Sequence, residues 1–213
     1  MRIRQIIPLA GLVTLLLALS AGLAAAQTSG AATAELEDTD GEPVGTASFV
    51  EGPEGVEITV DVQGIEPGEK GIHVHETGSI EPDFEAAGDH FNPTDAEHGL
   101  DNPEGAHAGD LPNITVEEDG TASYQTVNDM VTLGEGEESI LGGDGTALVI
   151  HSDADDQVTD PDGDSGDRVA AGVVEPADDA ALPETGGTAL LPVAAALALA
   201  GAGILFARRF VRS

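Results

Sequence analysis

At Gly55–Val62 the chain reads GVEITVDV. Val56, Ile58, Val60 and Val62 alternate with Glu57, Thr59 and Asp61. Successive side chains of a strand point to opposite faces, so this period of two predicts a strand with one face on a core and the other in water. Working outward, Gly41, the Gly52-Pro53-Glu54-Gly55 run and Pro67-Gly68 punctuate the pattern as turns. Further strand-like runs occupy 44–50, 71–76, 114–116, 122–127, 147–151 and 169–174, and the period begins near Ala32. No segment between them has a helical period. Seven or eight short strands joined by tight turns predict an all-β fold, an antiparallel sandwich or barrel. Two long loops interrupt it, at 78–112 and 152–167. Loops of that length in a compact domain usually carry function.

The termini read as addresses. Arg2 and Arg4 precede an apolar run from Ile6, and Ala24-Ala25-Ala26 precede Gln27. This is the pattern of a signal peptide over residues 1–26. At the other end Leu182-Pro183-Glu184-Thr185-Gly186 is followed by an almost uncharged stretch, about 188–207, and then by Arg208, Arg209 and Arg212. That stretch is long enough to span a bilayer, and the arginines suit a cytoplasmic end. The three parts in this order, over 182–213, resemble the cell-wall sorting signal of Gram-positive bacteria. The resemblance implies that sortase cleaves between Thr185 and Gly186 and joins the chain to peptidoglycan. The expected organisation is therefore a signal peptide (1–26), one domain (27–176), an acidic spacer (177–181) and the sorting signal. It implies an extracytoplasmic, wall-anchored protein that touches membrane only through its C-terminal segment before sorting.

Between these addresses Lys70 and Arg168 are the only cations against 40 carboxylates, a net charge of −38. Such a surface repels nucleic acid and anionic lipid, which excludes both as partners. The chain has no cysteine, which excludes thiolate metal sites, redox dithiols and a lipoprotein anchor.

The six histidines carry the chemistry. His73 and His75 lie two apart in a strand, so both imidazoles share one face, opposite Ile72 and Val74. His90, His98, His107 and Asp110 follow in the first long loop. Three nitrogens and one carboxylate suit a closed tetrahedral zinc site. His151 ends the 147–151 strand and can add a nitrogen to the His73/His75 metal. An all-imidazole site suits copper, which changes oxidation state, whereas zinc does not and would be structural.

GIHVHETG (71–78), AGDHFNP (87–93), AHAGDLPNI (106–114), LVIHSDADD (148–156) and GDRVAAGVV (166–174) together resemble the copper,zinc superoxide dismutase family. The resemblance implies a Greek-key β-sandwich or flattened barrel of about eight strands with two functional loops. It implies copper held by His73, His75, His90 and His151, and zinc held by His90, His98, His107 and Asp110, with His90 bridging. Asp155 would fix one copper and one zinc histidine, and Arg168 would guide the anion. Copper cycling would convert two superoxide anions to dioxygen and hydrogen peroxide, with His90 supplying a proton. The family includes dimers and monomers, so a homodimer is one expectation.

Two features depart from the family. Phe84 and Ala171 stand at the positions of its disulfide, so the loop must be held by metal and packing, with the Phe84 ring as a substitute tether. The 152–167 loop has no lysine or arginine, so little attracts an anion. These departures motivate an alternative, a cell-surface protein of the same fold that binds or buffers copper and zinc without significant turnover.

Overall fold

The computed structural model describes residues 30–177. The signal segment 1–26, the sorting motif with Thr185 and Gly186, and the apolar run 188–207 lie outside them. No helix among the described residues is long and apolar enough to cross a membrane.

The opening stretch is strand β3 (Gly55–Val62). It buries Val56, Ile58, Val60 and Val62 and turns Glu57 and Asp61 outward, as its alternation predicts. It pairs antiparallel with β2 (Pro43–Gly52), which pairs with β1 (Ala31–Asp38). Phe49 faces Ile58 across β2 and β3, and both are fully buried. Each such side chain contributes roughly 1.5–3 kcal/mol by leaving water.

The remaining strands are β4 (Gly68–Lys70), β5 (Ile72–His75), β6 (Ile114–Val116), β7 (Ala122–Asn128), β8 (Ala147–His151), β9 (Arg168–Val173) and β10 (Glu175–Pro176). The main sheet runs β5-β8-β9-β1-β2-β3-β7, every pair antiparallel, with β10 beside β1. β4 and β6 form a separate ribbon. After the β1-β2-β3 meander the chain returns by β9 to lie beside β1, the 4-1-2-3 order of a Greek key. One core draws Leu36, Phe49, Ile58, Ile72, Ile114 and Leu148 from six strands, so the sheet curls around it into a half-barrel.

β5 and β8 are buried on both faces. Ile72, Val74, Leu148 and Ile150 point into the core. On the outer face Ala147 and Val149 pack with Ala171, Phe84 and Ala87. Phe84 therefore lies buried in one cluster with Ala171, the packing expected in place of a disulfide. A 3₁₀ turn (Phe84–Ala87) presents it, and Asp83 caps that turn by accepting from the Glu85 amide at 3.2 Å.

The structure corrects one expectation. A third long connection, 129–146, joins β7 to β8. Its Val131, Leu133 and Ile140 enter the core. Val131 and Leu133 alternate over too short a run to predict a strand, and Ile140 stands apart, so no sequence pattern marks the segment as part of the core.

Candidate metal centre

β5 is an edge of the main sheet, and two returns of the 76–113 loop use its free side. The Glu76 amide donates to Asp89 O, and the Phe91 amide to Val74 O. The Val74 amide donates to Gly109 O, and the Gly109 amide to Phe91 O. These bonds set His90 opposite His75 and Asp110 opposite His73. A Cβ on Gly109 would stand 2.1 Å from Val74 O, so only glycine permits this approach. His151 arrives from β8, whose register with β9 shifts between Ile150 and His151.

Two nests of ligand atoms result, each with its atoms within 4.8 Å of one another: His73, His75, His90 and His151, and His90, His98, His107 and Asp110. All seven residues are buried.

In the first nest the outer ring nitrogens are engaged. His73 Nε2–H donates to Asp155 Oδ2 at 2.8 Å, His75 Nδ1–H to Gly88 O at 3.0 Å, and His151 Nδ1–H to Gly166 O at 3.2 Å. Each bond fixes the tautomer and leaves the other nitrogen with a lone pair. Those nitrogens, His73 Nδ1, His75 Nε2 and His151 Nε2, together with His90 Nε2, are buried without a hydrogen-bond partner. Four orphaned lone pairs in a small space are costly unless something binds them. Burial pulls the His73 pKa down to about 3, that of His151 to about 4, and His75 well below its ordinary range. All three are therefore neutral at pH 7. Four imidazoles with free lone pairs fit copper.

In the second nest Asp110 Oδ1 lies 2.9 Å from His90 Nδ1, 3.1 Å from His98 Nδ1 and 3.3 Å from His107 Nδ1. His90 Nδ1 and His107 Nδ1 are 3.4 Å apart. Donors at about 2.0–2.1 Å from a tetrahedral zinc stand roughly 3.3–3.4 Å apart, so this set fits zinc. Asp110 Oδ2 is fixed by the amides of Gly99 (2.9 Å) and His107 (3.0 Å). Burial works against charge on Asp110, but bonds from His107, His90 and His98 outweigh it and hold the carboxyl far below its ordinary range. Burial likewise opposes charge on His98, yet Asp110 and Asp155 push it up to about 10.

The structure brings together every site residue read from the described sequence. Asp155 joins the nests, accepting also from His98 Nε2 at 3.0 Å. Gly163 has φ 64°, and a Cβ there would sit on Asp155 Oδ1. Arg168 is 14% exposed and donates through Nη1 to Phe84 O (2.6 Å) and Nη2 to Gly88 O (2.7 Å). Sequence reasoning missed Asn113, whose amide accepts from the Asp155 N–H (3.0 Å) and donates to Asp155 O (2.8 Å). It also missed the carbonyls of Gly88 and Gly166, which no side chain signals. Asn113 belongs to the AHAGDLPNI stretch, where its neighbours' ligand chemistry was the only prompt.

A cavity of about 480 Å³ opens over His75, His90, His107, His151 and Arg168. Glu76, Glu85, Asp89 and Asp95 line one side, and Asp160, Asp162 and Asp167 the other. All seven carboxylates are exposed. Lys70 is not there; it is buried and donates to Ser152 O at 2.5 Å.

A curled Greek-key sheet whose edge holds two adjoining nests of buried histidine and carboxylate groups defines a β-domain with two candidate metal sites. Residues 44–174 match the copper/zinc superoxide dismutase family, and residues 176–209 match the LPXTG cell wall anchor motif. The chain belongs to the copper/zinc superoxide dismutase family and carries a Gram-positive wall anchor. Superoxide dismutase [Cu-Zn] 2 of Aquifex aeolicus is 47% identical over 146 residues, 67% of this chain and 85% of that one. Superoxide dismutase [Cu-Zn] of Caulobacter vibrioides is 39% identical over 148 residues, 68% and 85% of the two chains. The crystal structure of a SOD-like protein from Bacillus subtilis superposes with a TM-score of 0.64 at 40% identity, covering 66% of this chain and 96% of that one.

Proposed function

We infer that this chain is a superoxide dismutase displayed on the cell wall, with copper held by His73, His75, His90 and His151 and zinc by His90, His98, His107 and Asp110. The observation that carries the metal reading is the set of four buried, unpartnered ring nitrogens beside a second nest of three imidazoles and a carboxylate. Copper, when bound, supplies a one-electron couple, so that two superoxide anions and two protons become dioxygen and hydrogen peroxide.

The chain's own residues do the rest. His90 presents Nε2 to one nest and Nδ1 to the other, and Nε2 is the atom that can hold a proton between the two half-reactions. Asp155 keeps His73 and His98 in fixed tautomers. Asp110 neutralises the zinc nest and orders its three histidines. Arg168 faces the same cavity and is the one cation there that can attract an anion. At the termini, residues 1–26 direct export, and sortase joins Thr185 to peptidoglycan with release of the segment from Gly186.

The acidic cavity favours one further reading, a protein that holds copper and zinc without significant turnover. Copper and zinc are counted per purified chain, and superoxide removal is assayed on the same sample. Two metals with turnover support the enzyme, metals without turnover the buffer, and a chain without metal neither. Sedimentation of that sample reads whether it pairs with a second copy.

A further inference from the structure

The mouth over the histidines is built against an anion. Seven exposed carboxylates line it with one guanidinium. Two of that guanidinium's five N–H donors are engaged by the carbonyls of Phe84 and Gly88, and its Nε lies 3.7 Å from Glu85 Oε1, which offsets part of its charge. Lys70 is buried away from it. Into the same cavity open His75, His90 and His151, each with an unpartnered, buried Nε2. An anionic rim above free nitrogen lone pairs is complementary to a cation.

We infer that this mouth is a capture surface for copper ions, by which the chain loads its own centre from ions free in its surroundings. The inference rests on the copper reading above. Charges of one sign lining a cleft raise the local concentration of counter-ions and can speed their association by about 10–10³-fold. A divalent ion feels twice the attraction of a monovalent one. The rim carboxylates are exposed, so they hold an ion weakly and let it move on. Four imidazoles below them bind copper(II) more strongly than the other first-row divalent ions. The field that opposes the anionic substrate thus favours the entry of the metal.

The test uses the full chain loaded with zinc and free of copper, mixed with aqueous copper(II) in a stopped-flow instrument. Copper-site absorbance reports the loading rate, without reference to superoxide. In the unmodified chain the second-order rate should fall about tenfold or more between 10 and 300 mM salt, because exposed charges are screened over that range. The fourfold variant Glu76→Gln, Asp89→Asn, Asp95→Asn, Asp162→Asn should load about tenfold more slowly at low salt. A control with Glu57→Gln, Asp61→Asn, Glu69→Gln and Glu117→Gln removes as many exposed carboxylates away from the cavity and should slow loading less than about threefold. Copper content at saturation should be the same in all three. A salt-independent rate in the unmodified chain overturns the inference whether or not the variants fold, and so does equal slowing by the two variants. An unmodified chain that takes up no copper at saturation overturns the copper reading itself, and is recognised separately by metal content.

Discussion

His75 and Arg168 share one acceptor: Gly88 O takes the His75 Nδ1–H at 3.0 Å and Arg168 Nη2 at 2.7 Å. The guanidinium also holds Phe84 O. Arg168 therefore braces the 84–88 segment against β9, close to where Phe84 packs with Ala171. Arg168→Gln should both slow superoxide removal, by about tenfold, and lower stability, by roughly 1.5–3 kcal/mol, through lost charge-assisted bonds. Arg168→Lys keeps the charge but not the two-carbonyl fork, so it should recover more of the rate than of the stability. Steady-state rates and urea melts on both variants check this, and unchanged stability in both would refute the bracing role.

Asp155 accepts from His73, which belongs to the first nest alone, and from His98, which belongs to the second alone. Asp155→Asn keeps its shape but turns an acceptor into a donor that faces one of the two ring N–H groups. Loss of such a partner typically costs about 10–100-fold in metal affinity. Competition with a chelator should show weakened binding of both metals, since His73 serves one nest and His98 the other. A loss confined to one metal would place the link on one side only.

Metal should dominate stability. The loop carries no disulfide, and removing one from a small secreted domain costs about 2–5 kcal/mol. Seven buried ligand groups converge without another partner able to satisfy them all. Binding free energy of the metals is then folding free energy. The melting temperature of the metal-loaded chain should exceed that of the stripped chain by at least about 15 °C. Equal melting temperatures would contradict it.

The stripped chain should also lose stability in acid. Burial holds His73 at about 3 and His151 at about 4, below the ordinary 6.5 that they regain on unfolding. Between those values the unfolded chain binds more protons, so stability falls as pH drops from 6.5, by roughly 1.4 kcal/mol per pH unit for each histidine at most. His98 acts on the other side. Its folded value of about 10 gives a contribution that is complete below 6.5 and fades as pH rises toward 10. Melting temperatures of the stripped chain should peak near neutrality; a flat profile from pH 7 to 5 would remove the acid arm.

Salt should not slow turnover. Superoxide dismutases are themselves an established illustration of field-guided substrate capture, but here seven carboxylates surround one arginine. Screening lengths fall from about 30 Å at 0.01 M to 8 Å at 0.15 M. The rate should rise or stay level across that range. A steep fall would show that Arg168 dominates the local field.

Much of this was legible in the chain. GVEITVDV and its neighbours predict strands because alternation records which face meets water, and that pattern survives folding unchanged. The His73/His75 spacing predicts a shared face, because residues two apart on a strand project to the same side, and the family resemblance implied the rest of the candidate ligand set. The part that residues 129–146 play in the core was not legible, since Val131 and Leu133 alternate over too short a run and Ile140 stands apart. Nor were the carbonyls of Gly88 and Gly166, because a backbone acceptor has no residue signature. The tertiary structure alone decided that two loop returns pair with the edge of β5, which sets His90 between the two nests. It alone showed that Arg168, read as the anion guide, is also a largely buried brace on the 84–88 segment, and it gathered the acidic residues of two distant loops around one mouth. Composition can count charges, but a field depends on where they stand, and only the fold brings residues 76–95 and 160–167 to the same opening.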